Sequence, residues 1–521
     1  MIGKRSVLLH PFVFAVYFVF YFWSKNLNVS FSEVWPPALF FLIFSIIAVF
    51  ILGLIIRSFK KAGLIITLFF ILFFSYGHAR TLLGNAKLFG IEIGRHSYLM
   101  VIWLAIFVLF SLAIILLLRK EKIINALTNY LNLTGLLLVI FVFSPIINFQ
   151  IKNVIFKQKK VISKKIETPD PASAENYTQS VDKNLPDIYY IILDSYMNQD
   201  VLKSELGFDD SEFCDWLRGK GFFVSSSSRS NYTWTSLSVP SSLNFRYLNA
   251  EDKDKESALL YNNEVVKILR SKGYKIISIY FTSEGRHHYG VDADMKFAYG
   301  PAKEFLPSLI DSSWAYPVTF FGFFNSLIYN YQRAGVRFSL EKLREMPEIK
   351  EPTFTFAHIM SPHPPYIFNK DGKPLRFGLT ELRCLLNNKK GDLWHNQECR
   401  AYTEQTLFVN KRIKSVLEHI LFSSPGSIII IQGDHGQFLG LADKPSKKLF
   451  RLRTSILNAY YLPGEKKNLL YNGISPVNSF RVVFNEYFNK DYKLLPDVSY
   501  FSSSDNLWDF IMLKKEDLTG D

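Results

Sequence analysis

Asp434 and His435 stand side by side in the stretch GSIIIIQGDHGQFLG (426–440), just after four consecutive isoleucines. An apolar run of that kind, ended by Gly433, reads as a strand buried on both faces, and the acid and imidazole would stand at its rim. The pattern recurs along the chain. Asp194 follows DIYYIIL (187–193), Arg286, His287 and His288 follow YKIISIYF (274–281), and His363 follows TFTFAHIM (353–360). One acid after a strand is most often a turn or capping residue; acids, imidazoles and a guanidinium at four strand ends form a constellation. Asp194, Asp434 and His435 offer the oxygen and nitrogen donors of a catalytic site for one divalent ion, Zn2+ or Mn2+. Gly433 and Gly436 would allow tight turns and close backbone approach around it. Such an ion activates a hydroxyl or water and polarises a phosphoryl oxygen. The hydroxyl-rich stretch SSSSRSNYTWTSLSVPSSLNF (225–245) is where a nucleophile would be sought, although by itself it also reads as plain loop.

The elements that must position these residues begin near residue 186. Short β-branched or apolar runs at 187–193, 274–281, 353–360, 427–432 and 455–462 predict strands, and segments such as 401–421 carry helical spacing. The alternation predicts an α/β domain with a mostly parallel central sheet, whose ligands bind beyond the carboxyl ends of the strands.

The first 150 residues are different. Apolar runs at about 8–24, 35–57, 63–83, 97–118 and 133–150 predict an α-helical membrane domain of five spans. The first run lacks a small-residue cleavage site and passes straight from FAVYFVFYFW to charged residues, so it does not read as a removable signal. Lys4, Arg5, Arg57, Lys60, Lys61, Arg119, Lys120 and Lys122 flank the cytoplasmic ends by the positive-inside rule; Arg80, Lys87 and Arg95 run against the trend. With five spans and the N-terminus inside, everything after residue 150 lies outside the cytoplasm. Residues 151–185 read as a tether, with six lysines and no acid before ETPDPASAENYTQS. Those lysines suit either a solvated connector or a basic collar on lipid phosphates. The predicted organisation is thus a membrane domain (1–150), a basic juxtamembrane tether (151–185) and an extracytoplasmic catalytic domain (186–521).

Composition agrees with one apolar region joined to an ordinary soluble one: 49% of residues are hydrophobic and 20% charged, with 48 Phe and a net charge of +14. The basic residues gather at the cytoplasmic loops and the tether, with no basic face interleaved with aromatics, so nucleic acid is rejected as a partner. Three cysteines make no disulfide framework; Cys384 and Cys399 are close enough in sequence for one bridge or for two separate thiols.

The ordered motifs PDIYYIILDSY, NYTWTSLSVPSSLN, SPHPPY and QGDHG resemble the alkaline phosphatase/sulfatase superfamily. More narrowly they resemble its membrane-anchored branch, the lipoteichoic acid synthases and lipid A phosphoethanolamine transferases. The resemblance implies that Asp194, Thr235, Asp434 and His435 hold the metal, that Thr235 is the nucleophile near a helix N-terminus, and that His363 contacts the substrate phosphate. Arg286 and His288 suit phosphate binding but match no motif. Ser242 stands where a sulfatase's C/S-x-P-x-R pattern requires Arg, which disfavours a sulfatase. The cysteines that flank the threonine in the lipid A enzymes are replaced by Ser230 and Ser241, so donor and acceptor do not transfer from that subgroup.

By this resemblance the chain is expected to be a phosphotransferase of the bacterial cytoplasmic membrane. It would move phosphoethanolamine or phosphoglycerol from a phospholipid to an envelope glycan or glycolipid through a phospho-threonine. A metal-dependent phosphoester hydrolase would share the first half-reaction. A non-catalytic envelope scaffold is opposed by the intact set Asp194, Thr235, His363, Asp434 and His435.

Overall fold

The computed structural model describes residues 6–27, 31–83, 87–88, 91–93, 96–166, 185–281, 290–299, 305–315, 322–375, 392–439, 445–464, 466, 468–504 and 506–518. The N-terminal region is helical: α1 His10–Lys25, α2 Phe31–Ile56, α3 Phe59–Leu83, α4 His96–Leu116 and α5 Glu121–Ile166. Among the described residues, four helices are long and apolar enough to cross a membrane, namely those starting at Phe31, Phe59, Tyr98 and Glu121. Five spans were expected. The difference lies in α1, whose 16 residues reach only about 24 Å at 1.5 Å per residue, short of a ~30 Å hydrocarbon layer. It still packs within the bundle, burying Phe14, Ala15, Val19 and Trp23. Helix α5 continues to Ile166, into the stretch read as a tether, because Lys and Ile sustain a helix once it is started.

The second region is built on one seven-stranded sheet: β1 Ile188–Leu193, β2 Phe223–Val224, β3 Lys275–Phe281, β4 Met295–Tyr299, β5 Thr353–Ile359, β6 Ile428–Gln432 and β7 Asn458–Tyr461. Their spatial order is β2-β7-β6-β1-β5-β3-β4. Strands β6, β1, β5, β3 and β4 run parallel; on the other side β7 pairs antiparallel with β6, and the edge strand β2 pairs antiparallel with β7. All six residues of β1 are buried because the sheet is covered on both faces. Tyr189, Ile191 and Leu193 face a core shared with α8 (Gly322–Glu345) and α9 (Asp392–Ser423). Ile188, Tyr190 and Ile192 face a second core with α6 (Thr235–Leu243) and α11 (Pro476–Phe488). Helix α7 (Phe305–Asp311) packs on the N-terminal helix bundle, and α10 (Lys447–Thr454) packs against Phe501 and Leu513. A hairpin of β8 (Tyr500–Ser503) and β9 (Asn506–Met512) packs around Tyr232 and Trp234.

Candidate functional site

Register explains how three distant residues meet. Ile192 of β1 pairs with His358 of β5 on one side and Gln432 of β6 on the other. Asp194 and Asp434 each lie two residues beyond that level. Side chains alternate across a strand, so Asp194, His358 and Asp434 share one face at the carboxyl rim of the sheet. Their ligand atoms lie within 4.8 Å of one another, and all three residues are buried.

The turns after β1 and β6 are interlocked. Ser195 adopts a left-handed backbone (φ 64°), which lets its N–H donate to Asp434 Oδ1 at 2.9 Å while its hydroxyl donates to Asp194 Oδ1 at 2.9 Å. A Cβ on Gly433 would fall 2.2 Å from the Tyr196 carbonyl oxygen, and one on Gly436 1.8 Å from that of Leu452. The glycines therefore permit close approach of neighbouring backbone segments, and it is these contacts that set the turn holding Asp434 and His435.

Thr235 opens α6, on the face of the sheet that carries Asp194 and Asp434. Val239 and Leu243 bury the helix against that face, and Ser238 Oγ donates to the Asp434 carbonyl at 2.6 Å. The Thr235 hydroxyl donates to Asp434 Oδ2 at 2.6 Å and lies 3.1 Å from His435 Nε2. His435 Nδ1 lies 2.9 Å from the Gly436 carbonyl, which can only accept, and 3.2 Å from Arg453 Nη1, which can only donate; the shorter contact favours the hydrogen on Nδ1, the tautomer that presents the Nε2 lone pair toward Thr235. Asp434 Oδ2, His435 Nε2 and Thr235 Oγ1 thus converge with one hydrogen among them. That donor set fits a divalent ion, with Asp194 as the second carboxylate.

Charge effects point the same way. Burial alone would raise the Asp194 carboxyl, but the charges of His363, His358 and His435 and the His358 hydrogen bond outweigh it and hold the group below the usual carboxylate range. Burial lowers the His435 imidazole against the pull of Asp434, which favours the neutral form that ligates metals.

Two residues of the site were not found in the sequence. His358 Nε2 lies 3.0 Å from Asp194 Oδ2, where it donates to the acid and orients it. The available signal was a lone polar residue one place before the end of a buried strand. Arg453, on α10, is 2% exposed. Its Nη1 donates to the Gly436 carbonyl at 2.6 Å and its Nη2 to the Thr233 carbonyl, between the rings of Trp234 and Phe438. One guanidinium therefore ties the Thr235 loop to the Asp434–His435 turn. His363 stands farther out, half-buried, with its ring centroid 6.4 Å from that of His435. Arg286 and His288 lie outside the described residues, as does Cys384.

The sulfatase family model matches residues 186–480, more than half of the chain. Among curated proteins, none matches. The C-terminal periplasmic domain of EcEptC from Escherichia coli, in complex with Zn, is similar at 11% identity and TM-score 0.42, covering 64% of this chain and 94% of that one. The corresponding domain of phosphoethanolamine transferase EptC from Campylobacter jejuni is 14% identical (TM-score 0.38, 60% of this chain and 91% of that one). The soluble domain of lipooligosaccharide phosphoethanolamine transferase A from Neisseria meningitidis is 13% identical (TM-score 0.37, 58% and 88%).

Proposed function

Because this chain belongs to the sulfatase family, within the alkaline phosphatase/sulfatase superfamily, we propose that it is a membrane-bound transferase that moves a phosphoethanolamine or phosphoglycerol group from a phospholipid to an envelope glycan or glycolipid. The observation that carries this reading is the Thr235 hydroxyl. It lies at a helix N-terminus, 2.6 Å from Asp434 Oδ2 and 3.1 Å from His435 Nε2, in a chain whose Ser242 breaks the sulfatase nucleophile pattern.

Asp194, Asp434, His435 and Thr235 would hold one divalent ion, zinc or manganese, with His358 orienting Asp194. When bound, such an ion lowers the pKa of a hydroxyl and polarises a phosphoryl oxygen. Thr235 Oγ1 attacks the donor phosphorus, forming the P–Oγ1 bond and breaking the bond to the diacylglycerol oxygen. The hydroxyl hydrogen, held in the resting site at Asp434 Oδ2, leaves Thr235, and a proton ends on the diacylglycerol oxygen. The backbone N–H groups of Thr235 and Ser236 open α6 ahead of those of Leu237 and Ser238, which donate to the Trp234 carbonyl, and would face the phosphoryl charge. His363, at the outer edge of the site, binds phosphoryl oxygens or protonates the leaving oxygen. An acceptor hydroxyl then attacks the phospho-threonine and restores Thr235. The membrane helices keep the site beside the donor headgroup, which raises its effective concentration.

Intact mass spectrometry of the full chain, incubated with metal and phospholipid vesicles, tests this. Wild type should gain one phosphoethanolamine or phosphoglycerol mass and Thr235→Ala none. Diacylglycerol release without an adduct, and without change on adding a glycan acceptor, would replace transfer with hydrolysis. Neither adduct nor diacylglycerol would exclude phospholipid donors.

A further inference from the structure

Gly77 of α3 cannot carry a side chain, for a Cβ there would fall 2.4 Å from the carbonyl oxygen of Ser312. Ser312 belongs to the second region of the chain, well beyond the membrane helices. The Gly77 N–H donates to that carbonyl at 3.1 Å, and the N–H of Trp314 donates to the Phe73 carbonyl at 2.9 Å. In an α-helix Phe73 C=O and Gly77 N–H are each other's partners. Here each is also reached by one end of the 312–314 segment, so the segment clasps α3 through two backbone bonds.

Apolar side chains seat the segment, which also carries Asp311, Ser312 and Ser313. Phe305 and Leu309, on α7, are 2% and 1% exposed and belong to the core of the helix bundle with Ala15, Trp23, Phe41 and Phe74. The Phe305 ring meets that of Phe22 edge-on at 5.4 Å. Leu306, between them, is 45% exposed on the outside of the bundle. Gly77 and Phe73 lie six and ten residues before the end of α3 at Leu83, roughly 9 and 15 Å along the helix. Phe73 lies at the end of the apolar run LIITLFFILFF (64–74) and Gly77 just before His78 and Arg80, so the clasp stands at the margin of the apolar layer, where a backbone N–H or C=O shielded from water and left unpaired still costs free energy. A segment entering there without its own long helix needs partners for its backbone, and the clasp supplies two.

We propose that residues 305–315 form a re-entrant anchor, sunk from the catalytic region into the bilayer and locked onto α3, which fixes the height of the active site over the membrane. The partner it fits is the groove formed by α1, α2 and α3 of its own chain. The consequence for donor choice, access to headgroups at one set distance from the surface, rests on the proposed function; the anchor itself does not.

The test reads position and needs no turnover. Leu306→Cys, in the full chain with its three native cysteines replaced by alanine, carries a nitroxide label in proteoliposomes; exposed Leu306 tolerates the label. Collision rates with oxygen, which concentrates in lipid, and with a water-soluble nickel chelate are compared with those at Phe422→Cys, 87% exposed on α9. The expected oxygen-to-nickel ratio at 306 is several-fold above that at 422, and adding Gly77→Leu or Leu309→Asp collapses it toward the value at 422. Equal ratios at 306 and 422 in the parent chain would overturn the anchor. A ratio unmoved by both substitutions would overturn the clasp as what holds it. Failure of the transferase reading would show only in the mass-spectrometric experiment.

Discussion

The imidazole Nε2 of His358 lies 3.0 Å from Asp194 Oδ2, and both residues are buried at the rim of the sheet. A hydrogen bond from a ring N–H fixes which carboxylate oxygen remains free and how it is aimed. His358→Ala should therefore weaken metal binding by about 10- to 100-fold while Asp194 and Asp434 remain in place. Titration of the metal-stripped protein with zinc measures this. Chelation should also lower the melting temperature of wild type, because an ion bound to the folded state alone stabilises it by mass action. That shift should be smaller in His358→Ala. Equal zinc affinity in the two proteins would reduce His358 to a packing residue.

Gly436→Ala is expected to be among the most damaging single-methyl changes in the domain. The new carbon would sit 1.8 Å from the Leu452 carbonyl oxygen, a backbone atom that cannot swing aside, while the Gly436 N–H holds the Arg453 carbonyl at 2.8 Å. The loss of stability should reach about 3 kcal/mol, the upper end for overpacking, read as a fall in the denaturant midpoint. A change within experimental error of wild type would mean that the turn after β6 can shift without harm.

Arg453 invites a different comparison. Lysine keeps the charge but offers a point donor where the guanidinium spans two carbonyls, Thr233 and Gly436, and stacks between Trp234 and Phe438. Arg453→Lys should slow formation of the Thr235 adduct by roughly 10²-fold, the order expected when a reacting group is misplaced by about 1 Å. Zinc affinity should change far less, since the metal-ligating atoms lie on other residues. Rapid-quench measurement of the adduct rate beside zinc titration separates the two; a matching loss in both would point to general collapse of the site.

Much of this was legible in the chain, for a physical reason. Strands buried on both faces must be apolar throughout, so DIYYIIL and SIIIIQ announce themselves, and the polar residues that end them mark the rim. Asp194, Asp434 and His435 could be picked out that way. His358 could not, because it sits inside its strand and only the pairing with Ile192 shows which face it shares with the acids. Arg453 was invisible for a similar reason: nothing local in KKLFRLRT sets it apart from Arg451, which instead meets Glu205 in a part-buried ion pair away from the site. Strand β4, MKFAY, is short and only partly buried because it forms the sheet edge, and periodicity gave no warning of it. The apolar runs did locate the membrane helices, but the length of α1 and the run of α5 to Ile166 depended on where helices end, which hydropathy does not report.

Asp210 supplies a prediction about pH. Its carboxyl is buried behind the site, in a ring with Tyr196 and Asn410. Tyr196 Oη lies 2.7 Å from Asp210 Oδ2 and 2.6 Å from Asn410 Oδ1, and Asn410 Nδ2 donates to Asp210 Oδ1 at 2.7 Å. Tyr196 has one hydrogen, and Asn410 Oδ1 can only accept. The ring closes with every partner satisfied when Asp210 is protonated and donates to Tyr196, which donates to Asn410. Burial, partly offset by these hydrogen bonds, pushes the Asp210 carboxyl up to about 6 from 3.8. A group whose folded value is raised binds its proton more tightly in the folded state, so its stabilising contribution is complete below pH ~4 and is lost as pH rises through ~6. The amount at stake is on the order of 3 kcal/mol for a shift of about two units. Asp210→Asn mimics the protonated acid, donating to Tyr196 and accepting from Asn410, and has no proton to lose. Its melting temperature relative to wild type should therefore climb between pH 4 and 7 and level off above. A difference that stays flat across that range would mean that Asp210 is charged in the folded protein throughout and that Tyr196 donates to it.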